Sequence, residues 1–151
     1  MKLLLISDVH ADGSTFAVEK LPQADVALMA GDITNYGALR FSDFYFAREW
    51  MKALSARMPV FWVPGNHDLG MDNDSFNLPG VVGVRGRVEE FQGIRIGGVS
   101  HVTAYDIPAL AERWAYTTID PEEERQAFNL PPVDILISHS PPHGVRDTAP
   151  G

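Results

Sequence analysis

Four short polar clusters carry the residue types that hold metals or move protons: Asp8 and His10 in DVH, Gly31 and Asp32 in GDIT, Asn66, His67 and Asp68 in GNHD, and His139 in SHS. The chain has no cysteine, so a bound metal would be held by His, Asp, Glu or Asn, which suits hard or borderline cations. Two divalent cations about 3.5 to 4 Å apart can clamp a phosphoryl group, activating water and neutralising the charge that develops. A carboxylate such as Asp32 can bridge such a pair, and ligand type alone leaves Mn, Fe, Zn and Co open. His67 beside the site can protonate a leaving oxygen, with Asp68 holding its imidazole and favouring the charged form. Gly31 and Gly65 permit sharp turns that aim the next side chain at an ion. Each residue also has a structural reading. Asp8 after a strand suits an N-cap or an Asx-turn, His10 a surface position, and His67 a structural one.

The elements that must position these residues are legible as apolar runs. Segments 3–7, 26–30, 60–63 and 133–138 are continuously apolar, as strands covered on both faces are. Each empties into one of the four clusters. Asp8 and Asp32 are 24 residues apart, and Asp32 and Asn66 are 34 apart, each enough for one crossover between parallel strands. Ligand residues collect at the carboxyl ends of strands in open α/β sheets, so distant residues would converge there. Leu39, Phe46, Trp50, Met51 and Leu54 recur at helical spacing and predict an amphipathic helix over 38–57. A shorter helix is expected over 14–21, ending at Pro22. Asp120, Pro121 and three successive glutamates predict a third helix start: N-cap, first-turn proline, and acids at the positive end of the dipole. Segments 81–84, 88–91 and 94–99 read as further strands, the last two joined as a hairpin across Gln92 and Gly93. This order implies an α/β domain with a mixed sheet.

The totals bound the function. At 151 residues the chain fits one domain with a real core. Twelve basic against 20 acidic residues give a net charge of −8, which disfavours long nucleic acid as a partner. The apolar start, MKLLLIS, is too short for a signal segment or a membrane span, so a soluble cytoplasmic protein without a membrane partner is expected.

In order and in strand placement, DVH at 8–10, GDIT at 31–34, GNHD at 65–68 and SHSPP at 138–142 resemble the motifs of the calcineurin-like metallophosphoesterases. The resemblance covers almost the whole chain. It implies two mixed β-sheets packed as a sandwich flanked by helices, with a dinuclear site at the strand ends. By motif, Asp8, His10 and Asp32 would hold one divalent ion, and Asp32, Asn66 and His139 the other. His67 would be the general acid or transition-state stabiliser and Asp68 its partner. The implied activity is metal-dependent hydrolysis of a small phosphate ester, diester or monoester. The alternative is a non-catalytic scaffold or protein-binding module on the same fold. The family's later GHxH motif is absent from this chain, so a single domain over 1–151 lacking its C-terminal part is expected, or a homo-oligomer whose site another chain completes. His101 and His143 stand outside any GHxH context. Asn35, Tyr36 and Arg146 read as solvated loop residues, with substrate contact as the alternative. Phe41, Phe44, Phe46 and Trp50 read as core or interface.

Overall fold

The computed structural model describes residues 1–104 and 108–141. Its first sheet contains β1 (Leu3–Ile6), β2 (Val26–Met29), β3 (Val60–Trp62) and β4 (Val81–Gly83), side by side in that order and parallel throughout. Helix α1 (Phe41–Ser55) carries the chain from β2 to β3. The chain continues through β5 (Val88–Phe91), β6 (Ile94–Val99), β7 (Val102–Thr103), α2 (Pro108–Arg113), β8 (Thr117–Thr118), α3 (Pro121–Ala127) and β9 (Ile135–Ser138). A second sheet, β5-β6-β9, pairs β5 antiparallel and β9 parallel to β6, and β7 with β8 makes a small parallel ribbon. No helix among the described residues is long and apolar enough to cross a membrane.

The apolar strands are buried for the reason their sequences suggest: both faces of the first sheet are covered. Leu4, Ile6, Met29, Val60 and Trp62 face α1 and meet Ala47, Trp50, Met51 and Leu54. The alternate residues Val26, Leu28, Phe61 and Val63 face the second sheet and meet Ile96 and Ile137. The sheets approach so closely at Gly98 that a Cβ there would lie 2.3 Å from Val63 Cγ1. Register then aligns the ligand turns. Ile6 pairs with Met29 and Met29 with Trp62, so three chains leave the sheet at one level. Coverage stops short at one edge. Leu3, Leu5 and Leu28 of the first sheet and residues 135–138 of the second line a groove of about 400 Å³ between β1 and β9.

Two expectations need correction. Residues 14–21 form no α-helix; only Val18–Lys20 makes a single 3-10 turn. The Asp12 carboxylate accepts hydrogen bonds from the backbone of Ser14 and Thr15, fixing an Asx-turn where a helix would start. The helix expected over 38–57 is shorter, and Leu39 lies outside it, 75% exposed in a preceding 3-10 turn. There Gly37, at φ 54°, packs its Cα against the Leu69 backbone and bends the chain before α1. Phe41 is likewise exposed, while Trp50 is buried and donates its indole N–H to Phe16 O at 2.7 Å. Elsewhere the expected elements are found. Gln92 and Gly93 both have positive φ, as a type I′ hairpin requires, and Asp120 caps α3 by accepting from Glu122 N at 2.8 Å.

Leu54 is fully buried between α1 and the sheet. Leu54→Ala is expected to cost about 2 to 5 kcal/mol in urea unfolding; a loss below about 1 kcal/mol would contradict this packing.

Candidate metal centre

The turn after β1 is laced to the turn after β2. Asp8 N–H donates to Gly31 O at 3.1 Å, His10 N–H to Asp32 O at 3.0 Å, and Ala11 N–H to Ile33 O at 2.9 Å. Asp8, His10, Ala11 and Asp32 all adopt positive φ, between 48° and 57°. Such conformations cost about 1–3 kcal/mol each for non-glycine residues and collect at functional sites. The result is a cluster in which one donor atom each from Asp8, His10 and Asp32 lies within 4.8 Å of the others. His10 Nε2 is 3.8 Å from Asp8 Oδ1 and 3.8 Å from Asp32 Oδ2.

The other oxygen of Asp32 faces a second group. Asp32 Oδ1 is 3.6 Å from His139 Nε2 and accepts the backbone N–H of His67 at 2.8 Å. His139 Nδ1 lies 2.7 Å from Ala30 O, and a carbonyl only accepts, so Nδ1 carries the proton. The other ring nitrogen, Nε2, faces Asn66 Oδ1, 2.9 Å away. A proton on Nε2, an Asn66 amide turned to present its N–H, or a cation between the two atoms satisfies this contact. A carbonyl-held Nδ1–H is the usual partner of a metal-binding imidazole. Donor separations near 3 to 4 Å match ligands bound about 2 Å from one ion. The residues present therefore fit divalent ions on both sides of Asp32.

The two glycines act differently from each other. Gly31 has φ 88°, and a Cβ on it would lie 2.6 Å from Gly65 N. Gly65 has no unusual φ; it is needed because a Cβ there would lie 2.2 Å from Asp32 Oδ1 and 2.7 Å from His139 Cε1. Its smallness lets the GNHD turn close over Asp32, where a sharp turn was expected.

His67 and Asp68 also part company with expectation. Asp68 is fully buried and does not hold the His67 ring. Its Oδ1 accepts from Thr34 N at 3.0 Å and from the Thr34 hydroxyl at 2.7 Å, and its Oδ2 from Gly65 N at 2.9 Å. Burial pushes its carboxyl above the ordinary value against the pull of these donors, and the nearby Asp32 charge acts in the same direction as burial. The residue thus ties GDIT to GNHD. The His67 imidazole is oriented by a backbone group: Nδ1 is 3.2 Å from Asn35 O, so Nδ1 carries a proton and Nε2 has no partner among the described residues. Asn35 is fixed in turn by buried Asp43 of α1, which accepts from Asn35 N and Tyr36 N at 3.1 and 3.2 Å. The ring of Trp114, which no periodicity or motif marks, lies 4.1 Å from that of His67. His101 is half-buried at the end of β6, and burial holds its pKa below the usual value, with Arg85 adding to the effect. His143 and Arg146 lie outside the described residues.

Comparison with known proteins adds two findings. The family model described as "Calcineurin-like phosphoesterase" matches residues 1–150. Among solved structures, a protein of unknown function from Aquifex aeolicus, AQ665, is similar at 20% identity, with 74% of this chain and 69% of that one covered and a TM-score of 0.40. No curated protein matches.

Asp68→Ala would strand the buried N–H groups of Gly65 and Thr34. It is expected to destabilise the fold by about 3 kcal/mol or more in urea unfolding. Full stability with loss of turnover alone would instead restore Asp68 as the orienter of His67.

Proposed function

Because the chain belongs to the calcineurin-like phosphoesterase family, we propose that it hydrolyses a small phosphate ester, most readily a phosphodiester, at a pair of divalent ions bound on either side of Asp32. The observation that carries this reading is the convergence of His139 Nε2, Asn66 Oδ1 and Asp32 Oδ1, the first two 2.9 Å apart and the first and last 3.6 Å apart. Asp8, His10 and Asp32 Oδ2 would hold the other ion. Imidazole, carboxylate and amide ligands without thiolate suit Mn, Fe, Zn or Co. Bound divalent ions would supply the charge that polarises a phosphoryl group and eases loss of a proton from water.

The chain's own groups divide the remaining work. Asp32 keeps both ligand groups in one frame because each of its oxygens faces a different one. The Asp8 side chain is 58% exposed whereas that of Asp32 is 5% exposed, so an ester would enter from the Asp8 and His10 side. His67, its Nδ1–H spent on Asn35 O, has Nε2 free to deliver a proton to the departing oxygen. The chain's charge of −8 disfavours a long polyanion in this mouth and favours a compact substrate.

The test measures bound metal by mass spectrometry and turnover of bis(4-nitrophenyl) phosphate with added Mn²⁺, in the wild type, Asp32→Ala and Asn66→Ala. Both variants are expected to lose metal and to lose more than about 100-fold in turnover together. Metal uptake without any turnover in the wild type would favour the non-catalytic module, and full turnover in both variants would contradict the ligand assignment.

A further inference from the structure

We propose that Trp114 is the positioning residue that holds the His67 imidazole toward the reacting ester, an inference that rests on the role proposed above for His67. The two ring centroids lie 4.1 Å apart with planes inclined by 31°, a close tilted face contact. On another side the ring meets His10 edge-on at 4.9 Å. The second torsion of a histidine side chain is soft and roughly two-fold, so a single hydrogen bond leaves its plane free to rock. Asn35 O selects which way round the ring sits, and the indole fixes its plane. Together they leave Nε2 one direction.

Trp114 is held as a positioning group must be. Its backbone N–H donates to Leu110 O at 3.0 Å at the end of α2, and the backbone N–H of the next residue, Ala115, donates to Asn66 O at 3.1 Å. The segment that carries the indole is therefore bound to the same turn that carries His67. Tyr116, two residues on, donates its hydroxyl to Met71 O and anchors the strap beyond the GNHD turn. The Arg113 guanidinium lies 4.9 Å from the indole centroid, and Tyr36 stands 6.3 Å away. Core packing does not account for this placement. Trp114 is only partly buried and belongs to neither apolar cluster of the two sheets.

The test reads the ring first and turnover second. Long-range proton–nitrogen spectra of metal-free, ¹⁵N-labelled protein at alkaline pH are expected to show one His67 tautomer, protonated on Nδ1, in the wild type and Trp114→Phe. In Trp114→Leu the same tautomer is expected, held by Asn35 O, but with ring signals broadened by rocking of the imidazole and the backbone spectrum otherwise retained. Turnover is then measured with methyl aryl phosphates of increasingly basic leaving groups. Trp114→Leu is expected to lose about tenfold in kcat for the most basic leaving group and little for the least basic, with KM within about twofold and Trp114→Phe restoring most of the loss. Ring signals as sharp as the wild type's and a flat kcat ratio in Trp114→Leu would overturn the inference. His67→Ala separates the two layers. A wild-type kcat there overturns the role of His67 itself, whereas a low kcat there beside an unaltered Trp114→Leu overturns only the positioning role.

Discussion

The carboxylate of Asp32 is the constraint on which the site depends. It is almost wholly buried, at the end of a strand whose residues are packed on both faces, and a second carboxylate, Asp68, is buried close by. Taking one charge out of water is costly, and two of the same sign are costlier unless donors and cations surround them. Asp68 has its donors in Gly65 and Thr34. Among the described residues, the Asp32 carboxylate has one backbone donor, His67 N, and otherwise faces the imidazoles of His10 and His139. His139 directs Nδ1 at Ala30 O and turns Nε2 toward Asp32 and Asn66. Positive ions on each side of the carboxylate, as proposed above, would close the balance.

Around that centre the backbone is strained where it carries ligands and smooth where it carries core. Asp8, His10 and Asp32 all sit at positive φ, while the strands that precede them are regular and in register. The packing of α1 and the second sheet supplies the rigidity that makes such turns tolerable. Gly31 and Gly65 permit the last approach, since a methyl group on either would overlap the other turn or Asp32. The fold therefore spends its regular parts on holding four irregular ones together.

The strands were legible because being covered on both faces leaves an unbroken apolar run, and the residues that converge on the candidate centre because each lies just beyond such a run. The family match over residues 1–150 agrees with the motifs at DVH, GDIT, GNHD and SHS. The groups that orient His67 were not legible. Asn35 acts through its backbone carbonyl, which no side-chain pattern encodes. Trp114 arrives on a strap between α2 and β8, two elements too short for periodicity to reveal. Asp68 was assigned to its sequence neighbour, yet its carboxylate turns inward to Thr34, 34 residues away. Residues 14–21 misled for a related reason: local helical character lost to the side-chain hydrogen bonds of Asp12.

The central claim is that Asp32 joins two cation sites. The most direct measurement is anomalous diffraction at the manganese edge from crystals grown with Mn²⁺. Two peaks about 3.5 to 4 Å apart are predicted, one among Asp8, His10 and Asp32 and the other among Asp32, Asn66 and His139. No peak beside the Asp32 carboxylate, with Mn²⁺ bound elsewhere on the protein, would contradict the account.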